Sequence, residues 1–135
     1  MDIGAFLIRA MDGAAHPRIA ELTRAYLRAR GHELSATRIA YALSPRVPTA
    51  IALSILAGDD ADLYLWHSQH SELGGVLARG LGVEVWCVTR ERRTGFVEGI
   101  RFDARGRARY RVGEESDRAL EACARRLEVP KAALT

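Results

Sequence analysis

The feature that most constrains the fold is a change of hydrophobic period. Between Pro17 and Gly31 the residues Ile19, Leu22, Tyr26 and Ala29 recur at helical spacing and give one apolar stripe. From Thr37 the period drops to two: Thr37, Ile39, Tyr41 and Leu43 alternate with Arg38, Ala40 and Ala42. That alternation is the pattern of a half-buried strand. A helix with one apolar stripe and a strand with one apolar face each need a covering layer. The chain must therefore pack helix on sheet. With 135 residues, 48% hydrophobic and 27% charged, it has the composition of one soluble globular domain over residues 1–135. Such a composition argues against a disordered tail, a collagen-like chain or a disulfide scaffold.

The same reading extends in both directions. Residues 3–9 predict a first strand, and Pro17 suits the first turn of the helix that Gly31 stops. Pro45 and Pro48 mark a turn before a strand over 49–56, with Ile51, Leu53 and Ile55 on one face. Residues 58–61 (Gly-Asp-Asp-Ala) are turn chemistry, and residues 62–66 read as a further strand. A helix is expected over 71–79, with Ser71 as N-cap, weakened by roughly 1 kcal/mol at each of Gly74 and Gly75. Residues 83–89 (Val-Glu-Val-Trp-Cys-Val-Thr) form the strongest strand pattern in the chain. Strands over 96–102 and 107–112 flank a turn at 103–106, and a last helix opens at Ser116 or Asp117 and closes at Pro130. A helix-turn-helix over residues 34–57 competes, but Pro45 and Pro48 stand where its second helix would begin.

The expected class is therefore α+β, with a mainly antiparallel sheet of about six to seven strands and three helices on one face. The order is β-α-βββ-α-βββ-α, in which helix plus three strands occurs twice, over 17–67 and 70–112. The longest apolar run, 50–57, is too short to span a bilayer and contains Ser54. The start, Met1-Asp2-Ile3-Gly4, lacks the basic and apolar regions of a secretion signal. Cys87 and Cys123 form no CxxC motif and read as buried thiols, although a disulfide between them stays open. A cytoplasmic protein is expected.

Charge supplies the most unusual local pattern. The formal net charge is only +3, yet the basic side is 19 Arg against one Lys. Four of these, Arg105, Arg107, Arg109 and Arg111, stand at strict two-residue spacing. In a regular strand that spacing puts all four on one face, and Arg101 on the paired strand is expected to join them. Such a row fits an acidic protein or phosphate groups, because the guanidinium presents a planar fork to either. It also fits a solvated edge strand, where charge blocks sheet-to-sheet aggregation.

A second candidate is Trp66, His67 and His70, at the expected junction of a strand and a helix. Two histidines three apart can share a helix face and serve a metal or a proton transfer. No Cys or carboxylate completes a ligand set, so neither metal nor cofactor is expected and ordinary loop or cap roles are favoured. His16 and His32 flank the first helix as cap or loop residues. Asp59, Asp60 and Asp62 lack the further ligands of a calcium loop and read as a turn. Glu84, Glu98 and Asp103 are placed to pair with arginines across the sheet. Arg79-Gly80-Leu81-Gly82 does not match a phosphate loop, and no serine stands in a nucleophile elbow. Cys87 reads as a core residue, and Trp66, Trp86 and Tyr64 fit either an aromatic ledge or, by default, sheet packing, since Trp86 shares its strand face with Val88.

The C-terminal half has a recognisable rhythm. Trp66-His67 is followed by Ser71-Glu72-Leu73, Leu77-Ala78-Arg79 and Leu81-Gly82, then an apolar strand and a hairpin ending in Gly113-Glu114-Glu115, and a helix ending at Val129-Pro130. This resembles small bacterial immunity proteins that neutralise polymorphic toxins. The resemblance covers a little over half the chain and carries no binding residue across. It implies a compact α+β protein without catalysis that docks on a toxin. Two alternatives accompany it: nucleic-acid binding by the same arginines, and a small enzyme using His67 and His70. A homodimer through an exposed strand is a further possibility.

Overall fold

A computed structural model describes residues 3–9, 15–31, 37–43, 50–57, 63–91 and 93–114. Along them run β1 (Ile3–Arg9), α1 (Ala15–Ala29), β2 (Thr37–Leu43), β3 (Ala50–Ala57), α2 (Leu63–Gln69), α3 (Leu73–Leu81), β4 (Val85–Arg90), β5 (Val97–Phe102) and β6 (Ala108–Glu114). The protein is α+β with an antiparallel sheet and three described helices. Among the described residues the strands hydrogen-bond in the order β2-β3-β1-β4-β5-β6, every pair antiparallel.

The register explains the core. Phe6 stands opposite both Leu53 and Cys87, and Cys87 stands opposite Ile100. Ile8, Val85 and Phe102 form the next row of that face. These residues are buried against Ile19, Tyr26 and Leu27 of α1 and Leu73, Leu77 and Ala78 of α3. Of the α1 stripe that the sequence predicts, Ile19 and Tyr26 are buried and Leu22 is partly buried, whereas Ala29 is exposed and Thr23 and Leu27 complete the buried face. The other face is apolar too: Leu7, Trp86, Val88 and Val97 are each at most 7% exposed. Strand β4 is therefore buried on both sides, which is why its sequence lacks polar alternation.

Three expectations need correction. Of the strand expected over 62–66, residues 63–66 are helical instead, because α2 runs from Leu63 to Gln69. Short apolar runs do not distinguish strand from helix, and here the tertiary packing decides. Helical winding brings Trp66 over His70, one turn on, with ring centroids 4.4 Å apart, and places His67 against Phe6 of β1. The order is accordingly β-α-ββ-α-α-βββ over the described elements, and the double helix-plus-three-strands pattern does not hold. The N-cap position of α3 is Glu72 rather than Ser71, with no side-chain cap bond.

Gly74 and Gly75 have a packing role that helix propensity does not register. A Cβ on Gly74 would lie 2.5 Å from the Phe102 ring, and one on Gly75 would lie 2.8 Å from the Gly106 carbonyl. Only glycine lets α3 approach β5 and the β5–β6 turn this closely. The final helix expected from residue 116, Cys123, Asp59, Asp60 and Asp62 lie outside the described residues. The Cys87 thiol is buried, and its Sγ donates to the His67 carbonyl at 3.7 Å. No described helix is long and apolar enough to cross a membrane.

Candidate functional site

The arginine row begins in the β5–β6 turn, and Asp103 organises that turn. Its Oδ1 accepts from the Arg105 and Arg107 amides at 3.0 Å each, and its Oδ2 accepts from Arg109 Nε at 2.7 Å. The Asp103 amide donates to the Arg107 carbonyl, and Gly106, at φ +84°, closes the turn back onto the Asp103 carbonyl. The Arg107 amide bond above all holds the Asp103 carboxyl below the usual carboxylate range. Arg109 and Arg105 add to this, against the opposing effect of desolvation.

The single-face arrangement of Arg105, Arg107, Arg109 and Arg111 is overturned by this hairpin. Arg105 and Arg107 precede β6, which begins at Ala108. Phe102 stands opposite Ala108 but Arg101 stands opposite Tyr110, so Arg109 is an extra residue at a bulge-like irregularity. Arg111 stands opposite Ile100, one register row from Arg101, and successive rows belong to opposite faces. Arg101 therefore does not join the row. It sits 15% exposed and pairs with Glu84, which also takes Arg9 at 3.3 Å.

What the fold does bring together is Arg105 and Arg107 with Arg79 of α3. They border a cleft of about 660 Å³ between α3 and the turn. Gly75 and Phe102, both buried, form its floor, and Gly106 closes one side. Val76 lines it 39% exposed, the large hydrophobic most open to solvent among the described residues. Glu72, Val76 and Arg79 fall at i, i+4 and i+7 along α3, hence on one helix face. Among the described residues, the side chains of Arg79, Arg105 and Arg107 make no ion pair or hydrogen bond.

Glu72 is the one carboxylate among the described lining residues, and its charge is already engaged. It pairs with Arg30 and accepts from the Tyr26 hydroxyl at 3.2 Å. The same hydroxyl lies 3.1 Å from His70 Nδ1. Arg30 also lies over the Tyr26 ring, 4.9 Å from its centroid. Burial first, and then the Glu72 charge, push the Tyr26 phenol up to about 12, with Arg30 acting the other way.

The two histidines end in different places. His67 is fully buried and packs against Phe6 and Trp66, at centroid distances of 5.3 and 5.2 Å. His70 is half-buried and faces Tyr26 of α1. They do not converge on a shared site. Among the described residues no three His, Cys, Asp or Glu side chains come together as a metal site.

The chain matches no family model, no curated protein and no solved structure. The reading of the site therefore rests on its geometry. Sequence spacing does not single out Arg79, Glu72 and Val76, which meet the hairpin only through the packing of α3 on β5, nor Tyr26, which reaches Glu72 through the packing of α1 on α3. The available signal was the pair Gly74-Gly75 in a predicted helix, which marks a close backbone approach.

Proposed function

We propose that this is a cytoplasmic binding protein without catalytic activity that docks the acidic surface of a protein partner, in the manner of an immunity-type inhibitor. The observation that carries this reading is the division among the arginines. Arg9, Arg101 and Arg109 meet Glu84 or Asp103. Arg79, Arg105 and Arg107 gather at one cleft whose only described carboxylate is already held by Arg30. Like charges gathered beside a single acid that is already paired repel, and an acidic partner relieves that repulsion while gaining forked hydrogen bonds.

Nucleic acid is the second reading, since the same charges attract phosphate. It is disfavoured because single-strand binders stack bases on exposed aromatic rings. The aromatic among the described lining residues, Phe102, is 5% exposed and covered by Gly74 and Gly75. The test is capture of the partner from the native cell by wild type and by the charge-reversed variant Arg79→Glu/Arg105→Glu/Arg107→Glu. The expected result is an acidic protein retained at low salt, released at high salt and absent with the variant. Retention that is indifferent to the three reversals contradicts the proposal. A mobility shift of DNA or RNA that the reversals abolish transfers the site to nucleic acid.

A further inference from the structure

We infer that the cleft recognises a particular kind of acidic segment: one apolar side chain flanked by carboxylates. The inference rests on the docking reading above and adds to it the chemistry of the partner. A surface that took acids alone needs only arginines at a rim. This rim also holds an open apolar side chain, Val76, beside the buried Gly75 and Phe102. Val76 stands half-open to solvent on the same helix face as Arg79, one turn before it. The cleft is an open one of about 660 Å³. It therefore has room for a side chain to enter, beyond the surface contact that charge pairing needs.

The walls are fixed before a partner arrives. A Cβ on Gly106 would lie 2.6 Å from the Gly75 carbonyl, so helix and turn touch backbone to backbone. Asp103 braces the turn with three accepted hydrogen bonds. A preformed cleft loses less ordering entropy on binding. Arginines around a pocket that desolvates an apolar anchor match the usual anatomy of an interface hot spot.

The test uses fluorescence anisotropy of the full chain with three probes of equal charge. One peptide carries a leucine flanked on each side by glutamates. The second has serine in place of leucine. The third is an oligothymidylate. The expected result is that the leucine peptide binds about tenfold tighter than the serine peptide, the gain for burying one leucine. The surface variant Val76→Ser removes most of that difference, and Arg105→Glu/Arg107→Glu weakens both peptides. Equal binding of the two peptides overturns the inference while leaving acidic docking intact. Oligothymidylate binding as tightly as the leucine peptide overturns both. If neither peptide binds, the inference falls, and partner capture decides the docking reading separately.

Discussion

Arg101 and Arg107 lie six residues apart on one hairpin and live in different chemical worlds. Arg101 is 15% exposed, beside Glu84, on the sheet face away from the described helices. Arg107 is exposed at the turn, its amide bound to Asp103 and its guanidinium free among the described residues. A guanidinium drawn out of water needs its carboxylate, and removing that partner exposes the cost of burial. A guanidinium left in water costs little alone and is available to a partner. Identical side chains therefore divide into one set paired with Glu84 or Asp103 and one that makes no such pair among the described residues.

Substitutions can break this contrast in order of expected size. Glu84→Gln removes the carboxylate that Arg101 and Arg9 share, and a loss of about 2 kcal/mol is expected in urea unfolding. Gly106→Ala places a Cβ at φ +84°, against the Gly75 carbonyl. It is expected to cost about 1.5 kcal/mol and to weaken acidic ligands by moving the turn. Tyr26→Phe removes the bond to Glu72 and is expected to cost about 1 kcal/mol, read by the same unfolding curves.

Two pH titrations sharpen the comparison. In the wild type the Tyr26 phenol is expected to titrate near 12 rather than about 10, seen as an ultraviolet absorbance step missing from Tyr26→Phe. The folded value is raised, so the Tyr26 contribution to stability is complete below the unfolded value and is lost as pH rises toward 12. Asp103 behaves in the opposite sense. Its folded value is lowered, so its contribution is present above an ordinary Asp value of about 3.9 and is lost only as pH falls through the lowered value. The Arg105 and Arg107 amide resonances report this directly, and should shift in more acidic solution than a free aspartate requires.

Much of the fold was legible because its signals are local. The ends of β1 and β2 match the apolar patterns residue for residue, and the α1 stripe of Ile19 and Tyr26 is the one buried. The segment around Trp66 was misread because Leu-Tyr-Leu-Trp satisfies both periods. What fixed it was a stack of Trp66 on His70 and a contact of His67 with Phe6, on a strand far earlier in the chain. The arginine row misled for a related reason. Two-residue spacing implies one face only while the strand stays regular, and the bulge at Arg109 and the turn at Asp103 break that regularity. Hence Arg105 and Arg107 were legible as candidates, whereas their partner Arg79 needed the meeting of Gly75 and Gly106.

The most direct measurement is urea unfolding of two variants side by side, Arg101→Gln and Arg79→Gln/Arg105→Gln/Arg107→Gln. The division of labour predicts that the single substitution lowers stability by about 2 kcal/mol. The triple substitution is predicted to stay within about 0.5 kcal/mol of the wild type, as surface changes do. If the triple variant loses as much as Arg101→Gln, the cleft arginines hold the fold together and the account is wrong.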